Sequence, residues 1–208
     1  MSLARDVGRN QRSRKRQNKL SSMTSGDANR LKYSSLGVSL STTASGNVWD
    51  FYRLYVPGES SGLTATVGPT IASYYSTGKF LPGTMTEWIP SVGFTTSGRV
   101  FVGFTDNPEV MVNIIALVGT SAYGAAVKGL GDVISFPIYE NRSWMVPTKL
   151  RRKMFDVNAS GPYDANVLDR SAQIAMFVAI EGGPASTTVG GVRCVDNLLV
   201  EGIQSTAS

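Results

Sequence analysis

Gly and Pro recur along this chain and bound most of its apolar runs, and no long helical pattern is present. What lies between the breakers reads as strands. Leu36–Leu40 alternates apolar and small polar residues, and Val48–Val56 is rich in aromatics and ends at Pro57-Gly58. Met85–Pro90, Arg99–Thr105, Asp132–Pro137 and Ser143–Pro147 have the same strand-and-stop pattern. Ser171–Ile180 is a nearly continuous apolar run, as a central strand requires, and Val192–Glu201 follows a Gly-Gly-Pro turn. Gly62–Pro69 is a Thr/Gly/Val segment. Thr70–Gly78 reads as a short helix closed by Gly78, and Glu109–Gly119 as a helix that then enters a strand. There is no internal repeat. The 22 glycines and the 17% of charged residues suit many turns and few solvated helices. About eight strands of this kind predict an all-β fold, an eight-stranded antiparallel jelly roll or a related sandwich.

The charge is not spread evenly. Residues 1–32 hold nine basic and two acidic residues, whereas 33–208 hold eleven basic and thirteen acidic, so the formal +5 averages a +7 arm and a −2 body. The arm lacks apolar periodicity, cannot repay the entropy of ordering, and is expected to be disordered when free. Arg5, Arg9, Arg12, Arg14, Lys15, Arg16 and Lys19 are its candidate nucleic-acid-binding residues. Their charges can track phosphates along a flexible path, driven by counterion release and without base selectivity. The arm has no aromatic residue to stack on bases. A second basic cluster, Lys149–Lys153, is either a solvated loop or a further nucleic-acid or subunit contact. The remaining residues, 33–208, suffice for one core.

The chemistry that is missing is also informative. With no histidine, Ser-His and Cys-His nucleophile pairs and the commonest zinc ligand are excluded. Cys194 stands alone, so it forms no intrachain disulfide and reads as a small apolar strand residue. Gly129-Leu-Gly131 lacks the rest of a nucleotide-binding pattern, and no aspartic-protease triplet occurs. No enzymatic activity is expected. The basic start of the chain has no apolar stretch of the signal-peptide kind, and Val110–Val127 is too short and mixed to span a bilayer. Synthesis in the cytosol is expected. Asp106-Asn-Pro-Glu109 sets two carboxylates three positions apart at a strand end, where ordinary turn chemistry and a shared hard cation are both open readings.

The block Phe80–Pro108 resembles the shell domain of tombusvirus-like and sobemovirus-like coat proteins. A strand ending near proline leads to a Thr-Ser-Gly turn, a strand of the form hydrophobic-x-Gly-Phe and an acidic loop. The basic arm and the final strand after a Gly-Gly turn fit as well. The resemblance implies an icosahedral virion shell of jelly-roll subunits, with inward arms that neutralise packaged single-stranded RNA. It also implies calcium between adjacent subunits, held by an Asp-x-Asp-x-x-Asp or Asp-x-x-Asp loop. Asp106 and Glu109 stand at the positions of the shorter loop, whereas Phe104 replaces the first Asp of the longer one.

The expected organisation is therefore an RNA-facing arm over residues 1–32 and a jelly-roll shell domain over 33–208, without a protruding domain. The arm has no proline, which leaves the lattice open between on the order of 60 and 180 copies. The expected function is a self-assembling capsid protein, made in the host cytoplasm and residing in the virion. The alternative is a non-capsid RNA-binding β-sandwich, such as a movement protein or silencing suppressor.

Overall fold

A computed structural model of the chain describes residues 28–34, 37–58, 74–148, 154–157 and 163–203. The arm residues Arg5 to Lys19, the Gly62–Pro69 segment and the Lys149–Lys153 cluster lie outside them. The described residues form two antiparallel sheets. One holds seven strands: β1 (Asn29–Ser34), β2 (Val38–Ser41), β4 (Tyr75–Phe80), β5 (Met85–Pro90), β8 (Arg142–Met145), β9 (Phe155–Asp156) and β11 (Thr188–Ile203). The other has the order β3-β10-β6-β7, with β3 at Val48–Leu54, β6 at Arg99–Thr105, β7 at Ile134–Pro137 and β10 at Ala175–Glu181.

The registers reduce these eleven strands to eight runs. Val192 pairs with both Val38 and Trp88, and Val195 with both Ser34 and Met85. A strand has only two edges, so β1 and β2 share one edge of β11 while β4 and β5 share the other. In turn β8 pairs β5 and β9 pairs β4. Seven strands therefore make four runs, three of them interrupted and β11 continuous, and the second sheet supplies four more. This is the eight-stranded jelly roll.

The interruption between β4 and β5 is built from named bonds. Leu81 N–H donates to Asn197 O (2.7 Å), and Thr84 Oγ1 donates to Leu81 O (2.9 Å). Asn197 Nδ2 donates to Pro82 O at 2.7 Å. These bonds satisfy the backbone where extra residues are looped out of the ladder.

Between the sheets lies a core that includes Phe51, Phe80, Trp88, Phe136, Met176, Val178, Ile180, Val192 and Leu198. Trp88 is fully buried, its Nε1–H donating to Ile138 O at 2.9 Å. A second apolar cluster covers the outer face of the four-stranded sheet, beneath α1 (Pro108–Ile115), α2 (Ser121–Lys128) and α3 (Ala165–Ser171). Strand β10 is buried on both faces. Met176, Val178 and Ile180 point between the sheets, and Ala175, Phe177 and Ala179 point to the helices. That double burial accounts for its lack of alternation.

Three sequence expectations need correction. Residues 75–80 are strand β4, not the end of a helix, because Tyr75–Phe80 is held edge to edge by β11. Gly78 is no helix cap: a Cβ there would meet the Pro57 ring at 2.8 Å. After α1 the chain turns at Gly119 (φ +84°) into α2 rather than a strand. Finally, β1 begins at Asn29, inside the segment read as arm, since Leu31 and Tyr33 pack inward. No helix among the described residues is long and apolar enough to cross a membrane.

Candidate assembly and nucleic-acid surfaces

The acidic corner after β6 is positioned by a helix start. Asn107 caps α1, its side chain accepting from Glu109 N–H (3.0 Å) and Val110 N–H (3.4 Å), with Pro108 in the first turn. Glu109 is exposed in that first turn, where the helix dipole favours a carboxylate without any metal. Asp106 is half-buried and lines an open cleft of about 310 Å³ together with Phe104, Thr105, Asp132, Ile134, Met145, Pro147 and Ile174. The cleft lies where the edge strands β7 and β8 of the two sheets face each other. The structure thus adds Asp132, which the sequence did not single out, to the surroundings of Asp106. No group of three or more acidic, Cys or His side chains that could hold an ion occurs among the described residues.

Two basic residues between the arm and the body are described. Arg30 and Lys32 are exposed on β1, on the face turned away from the core. Arg30 Nε donates to Asn197 Oδ1 at 2.9 Å, which aims its guanidinium along the sheet surface. Lys79 follows on the same face, since Arg30 and Lys79 both pair with Leu199.

Sequence reading missed a buried polar cluster between the sheets. Arg53 on β3 and Asp196 on β11 form a paired contact, Nη1–Oδ1 at 3.2 Å and Nη2–Oδ2 at 2.6 Å, with side chains 2% and 0% exposed. The guanidinium carbon lies 4.4 Å from the centre of the Tyr55 ring. Burial, and after it the Asp196 carboxylate, pushes the Tyr33 hydroxyl well above its usual range. Tyr55 bonds Thr86 (3.1 Å), and Thr86 in turn lies 3.5 Å from the buried Cys194 sulfur. Cys194 is a packed strand residue, as expected. The available signal was an arginine in the middle of an aromatic strand; its partner is 143 residues away.

No family model matches this sequence, and no curated protein matches it. Solved structures do match. The tobacco necrosis virus structure has a TM-score of 0.68 at 15% identity, covering 86% of this chain and 85% of that one. The semi-empty virus-like particle of the prawn Macrobrachium rosenbergii nodavirus gives 0.65 at 9% identity, covering 87% and 96%. Cocksfoot mottle virus gives 0.61 at 14% identity, covering 86% and 97%. At such identities the likeness speaks to fold. Together with the eight runs and the strand orders above, it shows that this chain has the jelly-roll fold of tombus-, sobemo- and nodavirus capsid shells.

Proposed function

We propose that the protein is a capsid subunit that assembles into an icosahedral shell and packages single-stranded RNA through its arginine-rich arm. The observation that carries the reading is the pairing of a shell-type jelly roll with a segment of net charge +5, residues 1–28, directly before its first strand. A jelly roll alone is compatible with many functions. A polycationic arm on a nearly neutral body adds a polyanion-binding part to it. At +5 per arm, shells on the order of 60 or 180 copies would carry about 300 or about 900 arm charges, each set able to neutralise a comparable number of phosphates. The protein would then reside in the virion.

Calcium shared between subunits belongs to the same proposal, with Asp106 and Glu109 as this chain's contribution. Calcium takes about six to eight oxygen ligands. One chain falls well short of that, so the site requires a second subunit. Particles that neither swell nor loosen with chelator at raised pH would remove calcium from the account.

The deciding experiment is electron microscopy of the purified full-length protein, with the 260 to 280 nm absorbance ratio of the same fraction. The expected result is uniform closed particles that contain nucleic acid. Deleting residues 1–27 should leave association intact and lower the RNA content. Equal packaging by the truncated chain would refute the arm's role. A small species under all salt and calcium conditions would favour the RNA-binding module.

A further inference from the structure

The buried Arg53–Asp196 pair lies beneath a thin cover. Strand β1 is an edge strand: among the described strands only β11 pairs with it. Tyr33 on β1 is the register partner of Asp196. It faces inward, with its hydroxyl within hydrogen-bonding reach of that carboxylate. On this side of the sandwich β1 is what separates the ion pair from water.

The cover is weakly held. None of the six side chains of β1 is fully buried, and only Leu31 and Tyr33 pack against the core. Its other anchors are polar and near the surface. Asn29 Nδ2 donates to the Tyr75 hydroxyl at 3.2 Å, and Arg30 Nε to Asn197 Oδ1 at 2.9 Å. Such bonds replace similar bonds to water and contribute little net stability. Strand β2, on the same edge of β11, is anchored differently, because Leu40 is buried in the core. Gly37 stands between the two strands at φ +91°, a left-handed backbone that glycine adopts without strain and about which the chain can pivot.

The groups beneath the cover gain from being uncovered. A buried ion pair carries a desolvation penalty that can match its Coulomb attraction. Arg53 Nε, moreover, has no hydrogen-bond partner in the closed core. Water entering beneath a lifted β1 would solvate both charges and bond that nitrogen, which offsets the lost contacts of Leu31 and Tyr33. A strand with few apolar anchors above a charged floor opens at a free energy below that of global unfolding. Opening also moves charge. Residues 1–28 hold seven basic and two acidic residues, a net of +5, and with Arg30 and Lys32 the free segment carries +7.

We propose that β1 is a hinged strap that lifts from β11 about Gly37 while the rest of the sandwich stays folded, and that the lifted strap hands Arg30 and Lys32 to the arm as two further phosphate contacts. Only the second half rests on the arm's RNA-binding role.

Hydrogen exchange of the full-length protein tests the strap. The amides of β1 should exchange faster than those of β10. In Tyr33→Phe, which loses the bond to Asp196, they should exchange about tenfold faster again, with β10 unchanged. In Arg53→Met/Asp196→Leu the floor is apolar, and β1 should exchange more slowly relative to β10 than in wild type. An edge strand that merely frays predicts no such slowing. Exchange of β1 only at the rate of β10, or a double variant in which β1 is no slower, would overturn the strap.

The transfer of charge is read from the salt dependence of binding to a single-stranded oligouridylate. Ser34 and Val195 pair in register on the outward face, so Ser34→Cys/Val195→Cys can staple β1 to β11 by a disulfide, while Cys194 stays buried on the other face. Compared with the same variant reduced, the oxidised form should lose two contacts, a fall of about 1.4 in the slope of log affinity against log salt. Equal slopes with RNA bound in both forms would overturn the transfer and leave the arm reading standing. Absence of binding by wild type at any salt would overturn the arm reading itself, and the strap would still stand or fall on exchange.

Discussion

Replacing Asp196 with Ala should be among the most damaging single changes in the body of the protein. The carboxylate has no exposed surface, and its partner Arg53 is 2% exposed and sits on the opposite sheet. Removing it leaves a guanidinium in the core with no counter-charge. Its Nε already lacks a hydrogen-bond partner. Breaking such a pair costs about 3–5 kcal/mol, against a total stability of roughly 5–15 kcal/mol for a domain. At this chain length that corresponds to a fall in melting midpoint of about 6–20 °C. The control is the exposed Arg193–Glu87 pair, equally close at 2.5 Å but with side chains 46% and 23% exposed. Glu87→Ala should cost less than about 1 kcal/mol. The double variant Arg53→Met/Asp196→Leu should recover most of the loss, because the penalty lies in the orphaned charge rather than in the absent pair. Urea unfolding, run for all four proteins, reads these differences directly. A loss below about 1 kcal/mol for Asp196→Ala would show that the cluster is wet or absent, and would refute the reasoning.

Two further predictions follow from packing and from titration. Gly190→Ala would place a methyl group 2.3 Å from Trp88 Cζ2, in a ring that is fully buried and anchored to Ile138. Overpacking of this kind costs about 1–3 kcal/mol, measurable as a lowered urea midpoint with an unchanged slope. Burial raises Tyr33, Tyr55 and Tyr123 above their ordinary value of 10.0, so each stays protonated in the fold where the unfolded chain would ionise. Their contribution is complete below about pH 10 and is lost as pH rises from there through the folded values. Tyrosinate absorbance should therefore appear in step with loss of near-ultraviolet circular dichroism above that pH. Free ionisation of all the tyrosines before any unfolding would contradict the buried cluster.

Strands whose own residues carry the signal, by alternation or by a breaker at their end, were legible in advance. Arg99–Thr105 is β6 as read, and Met85–Pro90 is β5, because each alternates or ends at a breaker that the final structure respects. The double-sided burial of β10 was visible as an unbroken apolar run. Tyr75–Phe80 was misread because Gly78 has a strong local meaning as a helix stop, which long-range pairing with Leu199 and Val200 overrides. The helix α2 was missed because its buried residues, Tyr123, Gly124 and Val127, give a weak periodic signal. Of the candidate metal residues, the sequence offered Asp106 and Glu109 as a pair. The fold puts Asp106 in a cleft with Asp132, and puts Glu109 on a helix end that has its own use for a negative charge. The Arg53–Asp196 pair was beyond sequence reading, since only the closing of one sheet over the other brings the two residues together.

Strand β11 also sets the timing of folding. It is the central run of its sheet, yet it is made after all the strands it joins: Asn29 waits for Val200, and Phe80 for Leu198. While the ribosome works towards residue 203, both β1–β2 and β4–β5 hold edges with nothing to bond to, and the apolar faces they carry stay uncovered. Such long-range closure is slow and leaves the nascent chain open to wrong partners. A cell making many copies at once would therefore place half-made chains side by side at the moment they are most adhesive, and their yield would depend on how quickly the sixteen-residue strand β11 arrives.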